Sequence, residues 1–171
     1  IDWHTSPNGD RERLFTLNRH RWFGDLAIAY RLTDDEKYAS AFVDQATSWI
    51  RSCPPPDDGR PHFHDFSPWK TLNGAMRMAD AWIYAYHLMQ DSPAVTQDFR
   101  RVFTDSVRQH GDDLSRSVFD RTHNHTLKEM GGLLTIALCF PHLDRAAEWS
   151  ALALQALEEA VCAQTEPDGS H

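Results

Sequence analysis

The stretch THNHTLKEMGGLLTIALCFP (residues 122–141) opens on polar side chains and closes on apolar ones. Leu127, Met130, Leu134 and Leu138 recur at helical spacing, which predicts a core helix with His123, Asn124 and His125 in its first turn. The same period runs outward from it in both directions. Toward the N-terminus, Phe15, Trp22, Leu26, Ala29 and Tyr30 predict one helix. TDDE (33–36) has the pattern of a capping box, in which a Thr hydroxyl and a Glu three residues on satisfy orphan N–H groups. It opens a second helix along Tyr38, Phe42, Ala46, Trp49 and Ile50. CPPPDDGRP (53–61) cannot continue that helix and is a loop.

Ser67-Pro68 and Ser92-Pro93 each place Pro at a first helical position and predict two further starts. The third stripe is Leu72, Ala75, Met76, Ala79, Ile83 and Tyr86, and the fourth is Val95, Phe99, Val102, Phe103 and Val107. A last helix follows Pro141 with Ala147, Ala151, Leu154, Leu157 and Val161 inward. No segment alternates as a strand does. The expected fold is all-α, a single domain over residues 1–171 of about six helices joined as antiparallel hairpins.

Composition narrows the function. With 171 residues, 41% of them hydrophobic and 25% charged, the chain can bury one ordinary core. A net charge of −8 argues against nonspecific binding to nucleic acid or anionic lipid. A polyanionic substrate stays open, because a local cationic cleft can sit on an acidic surface. Cys53, Cys139 and Cys162 are odd in number and lack metal-type spacing, so no disulfide framework is expected. No apolar run reaches the ~18 residues of a membrane span, and no signal peptide is visible. The first residue is Ile1, which allows for a removed upstream segment and leaves the compartment open.

Three clusters carry chemistry. In His123, Asn124 and His125, an amide that cannot titrate stands between imidazoles that can donate, accept or carry charge. At a helix N-terminus such a set suits a carboxylate or phosphate. An Asn N-cap with two solvated histidines fits the triplet as well. In WKTLNGAMR (69–77), Trp69, Asn73 and Arg77 fall at i, i+4 and i+8 and share one face. A ring, an amide and a guanidinium suit an acidic sugar, although a surface stripe with a half-buried Trp has the same pattern. HFHD (62–65) offers two histidines at i, i+2 without a third ligand, so no metal is expected.

Taken together, these pieces resemble the N-terminal helical domain of heparinase II/III-like polysaccharide lyases, a group that includes heparin/heparan-sulfate lyases and alginate and oligoalginate lyases. The matching pieces are LNRHRWFGDLAIAYRLTDDEKYA from Leu17, WKTLNGAMRMADAW from Trp69, NHTLKEMGGLLTIALCFP from Asn124, AAEW from Ala146 and the closing PDGSH. The resemblance implies part of an incomplete α/α toroid, with the family's β-sheet domain absent from this chain. It implies an acidic polysaccharide or oligosaccharide as partner, no cofactor, and a periplasmic or secreted location.

It also implies that Asn124 and His125 face the substrate carboxylate, with His123, Trp69, Asn73 and Arg77 as substrate-binding candidates. The family's catalytic Tyr follows a PDGS-like stretch. None of Tyr30, Tyr38, Tyr84 or Tyr86 matches that position, so the Tyr and a later His are expected past His171 and the piece alone is expected to be inactive. An arc of a toroid is also expected to self-associate through uncovered helix faces. Two alternatives stay open: a glycoside hydrolase, for which Asp65, Asp80 and Glu129 form no recognisable pair, and a noncatalytic saccharide-binding scaffold.

Overall fold

The computed structural model describes residues 1–56, 67–117, 120–166 and 168–169. HFHD lies outside them, as do Pro167, Ser170 and His171 of the closing turn. The described residues contain no strand. After a short turn at Pro7–Gly9, the helices are α1 (Arg11–Arg19), α2 (Trp22–Thr33), α3 (Glu36–Ser52), α4 (Thr71–Arg77), α5 (Ile83–Met89), α6 (Gln97–Leu114), α7 (Asn124–Cys139) and α8 (Ala146–Gln164). One wide π turn, Met78–Trp82, joins α4 to α5 without a break.

Packing gives each helix a direction. Trp22 bonds Gln45 and Tyr30 bonds Glu36, so α2 and α3 are antiparallel. His110 of α6 meets Arg77, and Phe103 of α6 stacks on Tyr86, so α6 opposes the α4–α5 rod. Thr71 meets Glu129 and Ala75 meets Gly132, so α4 and α7 run the same way. Gln164 returns to Arg121 and His123, so α8 opposes α7. Thus α2, α4–α5 and α7 point in one direction, and α3, α6 and α8 in the other. This is the expected row of antiparallel hairpins. The starts of α4 and α7 lie at the same end of it. Phe23, Phe42, Trp49, Trp82, Phe103, Met130 and Trp149 fill the core with no solvent exposure, each large side chain contributing about 1.5–3 kcal/mol by burial.

Several local expectations are corrected. The first helix is two, because His20 adopts a left-handed conformation (φ 53°) and breaks the run after Arg19. Its ring is held in the core, where Nδ1 accepts from Trp82 Nε1 at 2.8 Å. The cap of α3 is Asp35, whose carboxylate accepts from Lys37 N. Thr33 instead ends α2, and its hydroxyl donates to Ala29 O. Ser67 and Ser92 make turns, and α4 and α6 begin at Thr71 and Gln97. Thr96 caps α6 by accepting from Phe99 N.

The inward face of α8 is Ala146, Trp149, Ala153, Ala156 and Ala160. The expected stripe is rotated outward, because the Trp149 ring must lie over Gly111, where an added Cβ would come within 2.5 Å of it. Leu154 and Val161 therefore remain 55% and 51% exposed, and on α7, whose buried stripe runs through Met130, Leu133, Ile136 and Ala137, Leu138 is 65% exposed, against expectation. The three cysteines are free thiols. Among the described residues no helix is long and apolar enough to cross a membrane.

Candidate functional site

The His-Asn-His triplet opens α7, as its spacing predicts, but the cap is His123 rather than Asn124. His123 Nδ1 accepts from His125 N at 3.2 Å, and the two rings meet edge to face with centroids 4.4 Å apart. An Nδ1 that accepts must be unprotonated. Asn124 is thereby released from capping. It is exposed at the first helical position, and His125 beside it is half-buried.

The turn that presents them is tied from several sides. Asp120 Oδ1 accepts from the Thr122 amide and hydroxyl at 2.9 and 2.7 Å. These bonds, the hydroxyl's first, hold the Asp120 carboxyl below the usual range. The Thr126 hydroxyl donates to Asp120 O. The Gln164 amide, at the end of α8, donates to Arg121 O at 2.7 Å and His123 O at 3.3 Å.

Helices α1, α2, α3, α6 and α8 carry Glu12, Asp25, Glu36, Asp98 and Glu148 in their first turns, complementing the positive end of the dipole. The first turns of α4 and α7 carry no acid.

The other predicted residues are elsewhere. Trp69, Asn73 and Arg77 do share one face, but it is the inner one: Trp69 is 3% exposed, and Asn73 and Arg77 are fully buried. The three side chains therefore lie in the core and not on the surface stripe that the spacing also allowed. The Trp69 ring stacks on His110 at 4.4 Å, and its Nε1 donates to Cys53 O at 2.9 Å. Asn73 Oδ1 accepts from Arg19 Nε at 2.9 Å.

Arg77 donates to Asn18 O at 2.6 Å, Pro68 O at 3.2 Å and His110 Nε2 at 2.7 Å. His110 Nδ1–H donates to Ser106 O at 2.7 Å, which fixes Nε2 as the acceptor. Burial, then the Arg77 charge, holds His110 well below the normal imidazole range, so it stays neutral. The amphipathic pattern located this face correctly and could not tell a polar core from a polar cleft.

Sequence reasoning gave Glu129 no role. It is fully buried on the inner side of α7, one turn past His125, and its Oε1 accepts from Thr71 Oγ1 at 2.5 Å. Burial pushes its carboxyl up to about 7, helped by Asp113 and opposed by Thr71, Lys70 and Ser117. The signal was present: Thr126, Glu129, Met130 and Leu133 form the buried stripe, and a carboxylate within it is conspicuous. Asp80, by contrast, is exposed.

Comparison with known proteins places this arrangement. The model of the Heparinase II/III N-terminus matches residues 1–171. The chain is 30% identical over 169 residues to the heparin-sulfate lyase of Pedobacter heparinus, covering 99% of this chain and 25% of that protein. It is 27% identical to the heparin-sulfate lyase of Bacteroides thetaiotaomicron, covering 100% of this chain and 24% of the relative. Among solved structures, Heparinase III superposes with a TM-score of 0.90 at 27% identity, over 100% of this chain and 25% of that one. Heparan sulfate lyase HepC from Pedobacter heparinus gives 0.84 at 28% identity, over 98% and 26%. The chain thus spans about a quarter of the length of the curated relatives it matches.

Proposed function

The chain belongs to the heparinase II/III N-terminal family, and on that premise we propose that it is the helical part of a polysaccharide lyase that cleaves a uronic-acid polysaccharide by β-elimination. The names of its relatives direct the substrate class to heparan-type chains. The observation that carries the reading is the exposed Asn124 amide at the acid-free start of α7, with His125 beside it.

In the reaction a base removes the proton at C5 of the uronate. The C–H pair becomes the C4=C5 double bond, and the C4–O bond breaks, its electrons leaving with the oxygen, which takes up a proton. The C5 proton is barely acidic while the carboxylate keeps its full charge. Asn124 Nδ2–H and the His125 ring are assigned to that carboxylate, where they stabilise the enolate-like dianion as it forms. Donors fixed in advance cost nothing to reorient, and losing one typically costs ~10²–10³ in rate. His123 serves by capping: it leaves Asn124 free to face outward and sets the His125 ring.

Proton transfer needs a further group. Tyr30 bonds Glu36, Tyr86 receives a bond from Arg100, and Tyr38 lies under Lys37. Tyr84 borders Gly24. The family resemblance, in which the catalytic Tyr follows a PDGS-like stretch, assigns the proton steps to a Tyr outside these 171 residues. The test incubates the intact protein with heparan sulfate, heparosan and alginate and follows near-ultraviolet absorbance of unsaturated product. Asn124→Ala is expected to lower kcat by about 10²–10³. Saturated products, or full activity in Asn124→Ala, would overturn the assignment.

A further inference from the structure

Helices α4 and α7 come into backbone contact at Gly132 and Ala75. A Cβ added at Gly132 would stand 2.7 Å from Ala75 Cα and 3.0 Å from Ala75 O, so the two helices lie as close as small residues allow. A Gly–Ala contact brings the two helices close but supplies no ridge of its own to interlock them. The position of α7 along α4 decides where Asn124 and His125 sit.

One turn nearer the site, the same interface holds one polar bond. Thr71 Oγ1, on the first residue of α4, donates to Glu129 Oε1, on the second turn of α7. Both residues are fully buried. A buried polar contact is weak evidence for stability, and fixing the register of two elements is its best-attested use. The charged groups around it come from each neighbouring element: Lys70 precedes Thr71, and Asp113, at the end of α6, faces Glu129 while also pairing with Arg116 at 3.5 Å. Ser117 completes the surround, its own hydroxyl proton committed to Leu114 O at 2.7 Å.

We propose that Glu129 is a positioning residue for the elimination reaction: through Thr71 it locks α7 against α4 and so sets the height and rotation of Asn124 and His125 against the substrate carboxylate. Neither Glu129 nor Thr71 touches the saccharide. The assignment rests on the lyase reading for its kinetic consequence, but the positional claim can be read without it.

The experiment compares Glu129→Ala, Glu129→Gln and Thr71→Val with the wild type in the intact protein. It measures kcat, KM, the thermal midpoint and the ring signals of ¹⁵N-histidine. Glu129→Gln keeps an acceptor for Thr71 and is expected to retain most of the wild-type kcat. Glu129→Ala and Thr71→Val are expected to lose about 10–100-fold in kcat, the scale of a misplaced catalytic group, with KM little changed and the His123 and His125 signals displaced. Wild-type kcat in Thr71→Val, or equal damage in Glu129→Gln and Glu129→Ala, would overturn the proposal. Should Glu129→Ala fail to fold, Thr71→Val removes the same bond from the other side. Should the intact protein cleave no uronic polysaccharide, the lyase reading falls by itself; unmoved histidine signals in Thr71→Val would then separately refute positioning.

Discussion

The guanidinium carbon of Arg77 lies 3.9 Å from the centroid of the Trp49 ring, and neither side chain has any solvent exposure. Burial pushes the Arg77 pKa down to about 9, so the group is still cationic at neutral pH. It is a core charge held by two backbone carbonyls, an imidazole and a ring face. Arg77→Leu removes the donor for Asn18 O, Pro68 O and His110 Nε2 at once. The expected loss is about 3–5 kcal/mol, the usual result of breaking a buried charged network, read as a shift in the urea midpoint. Arg77→Lys is expected to be damaging too, since an ammonium cannot span the same acceptors. Unchanged stability in Arg77→Leu would refute the structural assignment.

Glu129 makes stability depend on pH in a definite direction. Its carboxyl is raised to about 7 in the folded chain, against about 4.3 when unfolded. Between those values the folded chain keeps a proton that the unfolded chain releases. Stability therefore falls as pH rises through the window from about 4.5 to 7 and stays lowered above it. Glu129→Gln has no such titration. Relative to wild type it is expected to be similar near pH 4 and more stable at pH 8, by at most roughly 3 kcal/mol. Denaturation of both proteins at the two pH values decides it, and a constant difference would contradict the assignment.

The adjacent glycines of α7 are expected to behave oppositely. A Cβ at Gly132 would meet the backbone of Ala75 at 2.7 Å, where nothing flexible can yield. Gly132→Ala should cost about 1–3 kcal/mol through overpacking and should impair activity by pushing α7 off α4. At Gly131 an added Cβ meets nothing within 4 Å. Gly131→Ala should stabilise by about 0.5–1 kcal/mol through helix propensity. Thermal melts of the two single variants check both signs, and equal shifts would contradict the close approach.

The 171 residues expressed alone are expected to give no unsaturated product, because the group assigned to the proton steps is not among them. They are also expected to self-associate through Leu138, Leu154 and Val161, which are more than half exposed on the last hairpin. Sedimentation of the isolated chain and of its Leu154→Glu variant tests this. A monomeric wild-type chain would contradict the second expectation, and measurable lyase activity the first.

The hairpin architecture was legible because every long helix writes a 3.6-residue stripe, and the start of α7 was legible because polar residues there give way abruptly to apolar ones. Orientation was harder to read. In α8 the apolar residues occupy two faces, and the choice between them is made by Trp149 finding Gly111, a contact between residues distant in sequence. At His20 the left-handed break depends on a pocket of aromatic rings supplied by three other segments. Trp69, Asn73 and Arg77 show the same limit at the site. Their common face follows from spacing, but whether that face meets water depends on α3 and α6 closing over it.

The wide turn at Met78–Trp82 bears on how the α4–α5 rod tolerates changes in length. A π turn takes up about one residue more than an α turn, and each helical residue advances the side-chain direction by about 100°. Arg77 before the turn and Tyr86 after it both face the interior, so the two arms are clocked to each other by that surplus residue. Deleting one residue there would restore a regular helix at the expense of one arm: either Ile83, Tyr86 and Met89 swing out of the core, or Arg77 does. Chains that share this architecture are accordingly expected to vary in length at their connections and to keep the residue count between Arg77 and Ile83 fixed.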